Sequence, residues 1–130
     1  IKSENESDIK MIVMGKKKIL VAEDDNLNFQ LIKHFLSKLN IEVIRAENGK
    51  EAVDIFRSDN IDLILMDIRM PVMDGYTATQ LIREISPEVK IIAQTAYSND
   101  KSIAISNGCN DFISKPFSKN QLISLVSSYL

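Results

Sequence analysis

Residues 63–76 read LILMDIRMPVMDGY. Four apolar side chains in succession (Leu63, Ile64, Leu65, Met66) run into an acid, Asp67, and then into a turn carrying Pro71 and Gly75. A strand with one wet face alternates apolar and polar residues. A run that is apolar at every position suits a strand covered on both faces, as in a parallel sheet clad by helices. Residues 19–22 (ILVA) have the same character, and further short Ile/Val/Leu-rich runs fall at 43–46, 90–93 and 112–114. The strands are expected at 18–22, 43–46, 62–66, 90–93 and 112–114.

The stretches between these runs carry helical spacing. Leu27, Leu31, Ile32, Phe35, Leu36 and Leu39 mark a first helix; Ala52, Val53 and Phe56 a second; Ala78, Leu81, Ile82 and Ile85 a third. Ile103 and Ala104 suggest a short fourth that stops at Gly108, and Leu122, Leu125, Val126 and Tyr129 mark a fifth. Pro87 follows the third helix, and Ser118 stands where it can cap the last. Five β–α units in series imply a doubly wound α/β fold with five helices, and the flavodoxin-like strand order 2-1-3-4-5 is the usual solution at this length.

The bulk numbers agree with one such domain. The chain has 130 residues, 45% hydrophobic and 26% charged, enough for a single core without disulfides. Its one cysteine, Cys109, can form no internal disulfide, which fits a reducing, cytoplasmic setting. A net charge of −2 gives no general attraction to nucleic acid or anionic lipid. No apolar run approaches the roughly 20 residues of a membrane span. Residues 1–16 start without Met and open with the polar, aperiodic IKSENESD; they read as a linker or leader of low order, with the domain itself at 17–130.

In open sheets of this kind, ligands bind beyond the carboxyl ends of the strands. Strand one ends in Glu23-Asp24-Asp25, strand three in Asp67, strand four in Thr95 and strand five in Lys115-Pro116. Strands one and three are neighbours in the expected order, so Glu23, Asp24 and Asp67 converge. Mutual repulsion raises the pKa values of such carboxylates unless a cation is present. A hard divalent ion with oxygen ligands resolves the conflict, and Mg²⁺ suits a site that handles phosphate. Lys115 and Thr95 offer an ammonium and a hydroxyl for phosphate oxygens, which leaves Asp67 as a nucleophile able to form an acyl phosphate. Taken singly, each residue has a plainer explanation: an acid pair as a helix cap, an Asp as turn chemistry, a Lys-Pro as a surface turn. Their placement at successive strand ends along one sheet edge favours chemistry.

The motifs ILVAEDDNLN, LILMDIRMPVMDGYTAT, IIAQTA and DFISKPF resemble, in order, those of response-regulator receiver domains, with a CheY-like fold, over about residues 17–130. The resemblance implies that Asp67 is the phosphorylated aspartate. It implies that Asp24 and Asp67 are direct Mg²⁺ ligands, that Glu23 acts through water, and that Arg69 contributes its backbone carbonyl. Mn²⁺ is an expected substitute. Thr95 matches the switch hydroxyl, Ala96 the small residue beside it, and Lys115 the lysine that pairs with phosphoryl or carboxylate. Pro116 matches the proline after a cis bond, and Pro71 and Gly75 the turn after strand three. Asp25 belongs to the first helix rather than the metal. Phe112 stands at the aromatic switch position, without a hydroxyl. Thr95 and Lys115 are 20 positions apart, a shorter spacing than the family's, so the fourth helix is expected to start late or be irregular.

The wording VAEDDNLN and MDGYTAT resembles receivers fused to sensor histidine kinases. The expected parent is a hybrid kinase with this receiver at its C-terminal end, cytoplasmic or the cytoplasmic part of a membrane-anchored kinase. A stand-alone regulator is the alternative. The expected partners are a phospho-histidine donor in a kinase core and a histidine phosphotransfer protein, with no nucleic acid and no direct membrane contact, and no independent enzyme activity is expected of the domain. An aspartyl-phosphate phosphatase fits poorly, since Arg69 stands where such enzymes have a second Asp. A receiver used only for binding fits poorly too, because the chemical residues are all present. His34 reads as a surface residue, Met66, Met70 and Met73 as packing residues, and Cys109 as a small buried one.

Overall fold

Five parallel strands form one sheet in the order β2-β1-β3-β4-β5 in the computed structural model, which describes residues 16–130. The elements run β1 (Lys17–Ala22), α1 (Asn26–Leu36), β2 (Ile41–Ala46), α2 (Gly49–Ser58) and β3 (Leu63–Asp67). They continue with α3 (Gly75–Ile85), β4 (Lys90–Thr95), a 3₁₀ turn (Ser98–Asp100), α4 (Lys101–Ser106), β5 (Asp111–Ser114) and α5 (Lys119–Ser128). The leader expected over 1–16 lies, except for Lys16, outside the described residues.

Alternation along the strands sorts the core into two layers. Leu20, Ala22, Ile64, Met66, Ile91 and Ala93 pack with Ala52 and Val53 of α2, Ala78 and Ile82 of α3 and Ala104 of α4. Ile19, Val21, Leu63, Leu65 and Ile92 pack with Phe29, Ile32 and Leu36 of α1 and Leu122 and Val126 of α5. The central strands β1 and β3 are therefore apolar at consecutive positions because helices cover both faces. Each large side chain fully buried in this way contributes about 1.5–3 kcal/mol.

The strands differ from expectation at their ends. β2 begins at Ile41, because parallel pairing with β1 starts at Lys17↔Ile41 and tolerates the exposed Glu42 on this edge strand. β3 includes Asp67 and β4 includes Thr95, so both polar residues are held in ladder geometry. The first helix departs further. Leu27 and Leu31, two of the residues that mark its helical spacing, are 84% and 45% exposed. A helix carrying two apolar stripes can turn only one to the sheet, and Phe29, Ile32 and Leu36 take that place. Ile85 and Ile103 are exposed as well.

Helix starts follow their caps. Asp25, Asn48, Asp74 and Ser118 each accept a hydrogen bond from a backbone N–H of the first turn of α1, α2, α3 and α5. Ser118 and Gln121 form a reciprocal capping box. The stretch after Thr95 is compressed into a 3₁₀ turn followed by a six-residue α4 with no side-chain cap bond. Gly108 ends that helix at φ 108°, a backbone conformation that favours glycine.

Candidate functional site

The site is assembled at the carboxyl edge of the sheet. Glu23 follows β1 directly, with its N–H on the Ala46 carbonyl at 2.9 Å. Its carboxylate is 1% exposed yet well supplied with donors. The Asp25 N–H reaches Oε2 at 3.2 Å, Lys115 Nζ reaches Oε1 at 3.0 Å, and the Asn28 side-chain amide also donates to Oε1. Asp24 is exposed. Asp25 turns away to cap α1 through Asn28 N–H at 2.9 Å.

Asp67 closes β3 and is buried. The chain then reverses so tightly that a β-carbon at position 75 would collide with the Asp67 carbonyl oxygen, and Gly75 N–H bonds the Ile68 carbonyl at 2.8 Å. Only glycine lets the start of α3 lie this close to the end of β3. Val72, in the same turn, has φ 70°.

One carboxylate oxygen from each of Glu23, Asp24 and Asp67 falls within 4.8 Å of the others. Lys115 Nζ bridges Glu23 Oε1 and Asp67 Oδ2 at 3.0 and 3.1 Å. Lys115 is carried there by β5, its own N–H bonded to the Thr95 carbonyl at 2.8 Å, and the Lys115–Pro116 bond is cis. Burial and the Glu23 charge push Asp67 up to about 7, against the opposing pull of Lys115. Burial lowers the pKa of Lys115, but its hydrogen bond to Glu23 and the two carboxylate charges outweigh this and raise it. An acid held half-protonated near neutrality among oxygen donors is a group that a hard divalent cation would ionise. The donor set therefore fits Mg²⁺.

Thr95 is 2% exposed, and its hydroxyl is engaged with Asp100 and Tyr97 rather than with Glu23, Asp24 or Asp67. It donates to Asp100 Oδ2 at 3.2 Å and accepts from Tyr97 N–H at 3.2 Å. Ala96 beside it is exposed. Arg69 lies two residues past Asp67, its guanidinium 4.4 Å from the centroid of the Tyr97 ring. Phe112 is half-buried on β5, paired in register with Ala93 and packed against the α2–α3–α4 layer. Met66 is buried, Met70 and Met73 pack against the core, His34 is exposed and Cys109 is buried.

Three residues at the site escaped the sequence reading. Asn28 supports the Glu23 carboxylate. Asp100 holds Thr95. Arg45, on β2, donates to the Glu23 carbonyl at 3.1 and 3.2 Å, to the Asp24 carbonyl at 3.3 Å and to Asn26 Oδ1 at 2.6 Å. Its guanidinium also lies 4.9 Å from the Phe29 ring centroid. It thereby ties down the loop that presents the acidic pair. Its sequence signal was only a charge at a half-buried strand position.

Residues 19–127 match the family described as response regulator receiver domain. The chain is 34% identical over 113 residues to the autoinducer 1 sensor kinase/phosphatase LuxN of Vibrio harveyi; the match covers 86% of this chain and 13% of that protein. Its fold superposes with a TM-score of 0.81 on the receiver domain of a sensor histidine kinase from Pseudomonas aeruginosa, solved with a magnesium ion coordinated in the active-site cleft. That pair is 35% identical, with 88% of this chain and 97% of the other covered. The TM-score is 0.82, at 32% identity, with the receiver domain of Ssk1 from Saccharomyces cerevisiae, solved with the histidine phosphotransfer protein Ypd1; 88% of each chain is covered. No helix among the described residues is long and apolar enough to cross a membrane. A matching family over most of the chain, the shared fold and an acidic cluster at the expected sheet edge lead to one conclusion: the chain belongs to the response regulator receiver domains of two-component signalling.

Proposed function

We propose that Asp67 accepts a phosphoryl group from a phospho-histidine, with Mg²⁺ held by Asp24, Asp67 and the Arg69 backbone carbonyl, and by Glu23 through water. Mn²⁺, which also takes oxygen ligands, substitutes. The observation that carries this reading is the Asp67 carboxylate itself: buried at a strand end, within 4.8 Å of two further acidic oxygens, and paired with Lys115 at 3.1 Å. An Asp serving only as a turn residue has no need of a half-buried ammonium shared with a second buried acid.

A carboxylate oxygen of Asp67 attacks phosphorus. The bond from phosphorus to the imidazole nitrogen breaks, and its electron pair returns to the nitrogen. The metal supplies charge neutralisation for the phosphoryl oxygens and keeps Asp67 ionised. Lys115 follows the negative charge from the carboxylate to the phosphoryl oxygens, and the Thr95 hydroxyl donates to one of them after leaving Asp100. Ala96 leaves room for the group, and Phe112 turns inward as Thr95 moves.

The similarity to LuxN, of which the chain spans only about an eighth, supports a place within a cytoplasmic hybrid sensor kinase. The Ssk1–Ypd1 pairing supports a histidine phosphotransfer protein as the partner that receives or returns the group. The test is Mg²⁺-dependent labelling by acetyl phosphate. The wild-type domain is expected to label and Asp67→Asn to lose the label. Equal labelling of Asp67→Asn places the acceptor elsewhere.

A further inference from the structure

The Thr95 hydroxyl has one proton to give, and Asp100 holds it. A hydroxyl is a single donor, so while Thr95 donates to Asp100 Oδ2 at 3.2 Å it cannot donate to a phosphoryl oxygen on Asp67. The Tyr97 N–H donates to Thr95 Oγ1 at 3.2 Å and so also fixes the Thr95 rotamer.

Asp100 also occupies the N-cap position of α4 without capping it. The N-cap residues of the other four α-helices all accept a first-turn N–H, from Asn28, Glu51, Thr77 and Gln121. In α4 the residue type is right for a cap, but its carboxylate is spent on Thr95 and its backbone is helical, at φ −82° and ψ −2°. A capping Asp sits in the extended region instead. One side chain thus stands between two jobs that exclude each other, and the short path from Thr95 to Asp100 lets it reach both.

We infer that Asp100 is a positioning residue that latches the Thr95 hydroxyl in the unphosphorylated domain and moves to cap α4 when that hydroxyl turns to the phosphoryl group. The exchange opens the 3₁₀ turn Ser98–Asp100 and firms the first turn of α4, the helix that displays Ile103 and Ile105 at 47% and 44% exposure. The state of Asp67 is thereby read out at an apolar surface, through one carboxylate changing partners.

The inference rests on Asp67 being the phosphoryl acceptor, and the experiment separates the two. Beryllofluoride with Mg²⁺, a phosphoryl mimic, is titrated into the domain while backbone amide shifts are followed. Binding that is absent in the wild type, or that survives in Asp67→Asn, overturns the acceptor assignment and the latch with it. With that control met, Asp100→Ala is expected to raise the apparent affinity by about three- to tenfold, because the hydrogen bond lost from the free domain outweighs the cap lost from the bound one. In a Thr95→Val background the same change is expected to have less than about a twofold effect, because the latch has nothing to hold. Amide exchange at Ser102 and Ile103 is expected to slow on beryllofluoride binding in the wild type and not in Asp100→Ala. An equal gain in the Thr95→Val background would mean that Asp100 acts only through its charge, and no gain in either background would mean that it acts not at all; each result overturns the latch.

Discussion

At Asp67, burial and the Glu23 charge move the pKa from 3.8 to about 7 in the metal-free fold. Between those values the folded domain keeps a proton that the unfolded chain has lost. The contribution of the protonated carboxyl to stability is complete below about pH 4 and is lost as pH rises through 7. The urea midpoint of the metal-free wild type is therefore expected to fall from pH 5 to pH 8 by more than that of Asp67→Asn. Millimolar Mg²⁺ at pH 8 is expected to recover the wild type alone, since the metal binds the ionised site. Parallel pH profiles for the two proteins would show that Asp67 is not the strained acid. Val72 sets a second residue-scale test. It is β-branched, 78% exposed and held at φ 70°, where its side chain crowds the backbone and gains no burial in return. Val72→Asn is expected to stabilise the domain by about 1 kcal/mol, read as a higher urea midpoint at unchanged slope. A loss of stability would mean that Val72 makes a contact worth more than its strain.

At the scale of elements, caps and packing decide which segments are firm. The α5 capping box joins Ser118 and Gln121 by reciprocal bonds of 3.1 and 2.8 Å, and Ser118→Ala is expected to cost about 1 kcal/mol, measured by urea unfolding. A change below about 0.3 kcal/mol would mean that α5 is held by Leu122 and Val126 alone. Ser118 and the helix-start role of Asp25 were legible in the sequence because a cap is a local contact, spanning three residues. The strands β1 and β3 were legible because burial on both faces leaves them no polar position. The inward face of α1 was not. Leu27 and Leu31 have the same spacing as Phe35 and Leu39, and periodicity states that a stripe exists without saying which stripe meets the sheet. The late, short α4 was visible as a spacing between Thr95 and Lys115, but the 3₁₀ turn and the idle cap needed coordinates.

For the whole molecule, strand order does the positioning. Order 2-1-3-4-5 makes β1 and β3 neighbours, which brings Glu23 and Asp24 beside Asp67, and sets Thr95 at the end of β4 and Lys115 just past β5 along the same edge. Those residues could be named from the sequence because each follows an apolar run at a countable position. The residues that brace them could not. Arg45 reaches the Glu23 carbonyl across 22 positions, and Arg83 ties α3 to the loop before β5 through the Gly108 carbonyl at 2.8 Å and Asn110 Oδ1 at 2.7 Å. An arginine that bonds carbonyl oxygens leaves no charge pattern in a sequence. Whether this edge places a phosphoryl group on Asp67 can be measured directly. The domain is incubated with acetyl phosphate and Mg²⁺, reduced with borohydride, which converts an aspartyl phosphate to homoserine, and mapped by peptide mass spectrometry. Homoserine is expected at position 67 and at no other aspartate, dependent on Mg²⁺. Homoserine at Asp24 or Asp25, or unmodified Asp67 in a protein that has taken up phosphate, would contradict it.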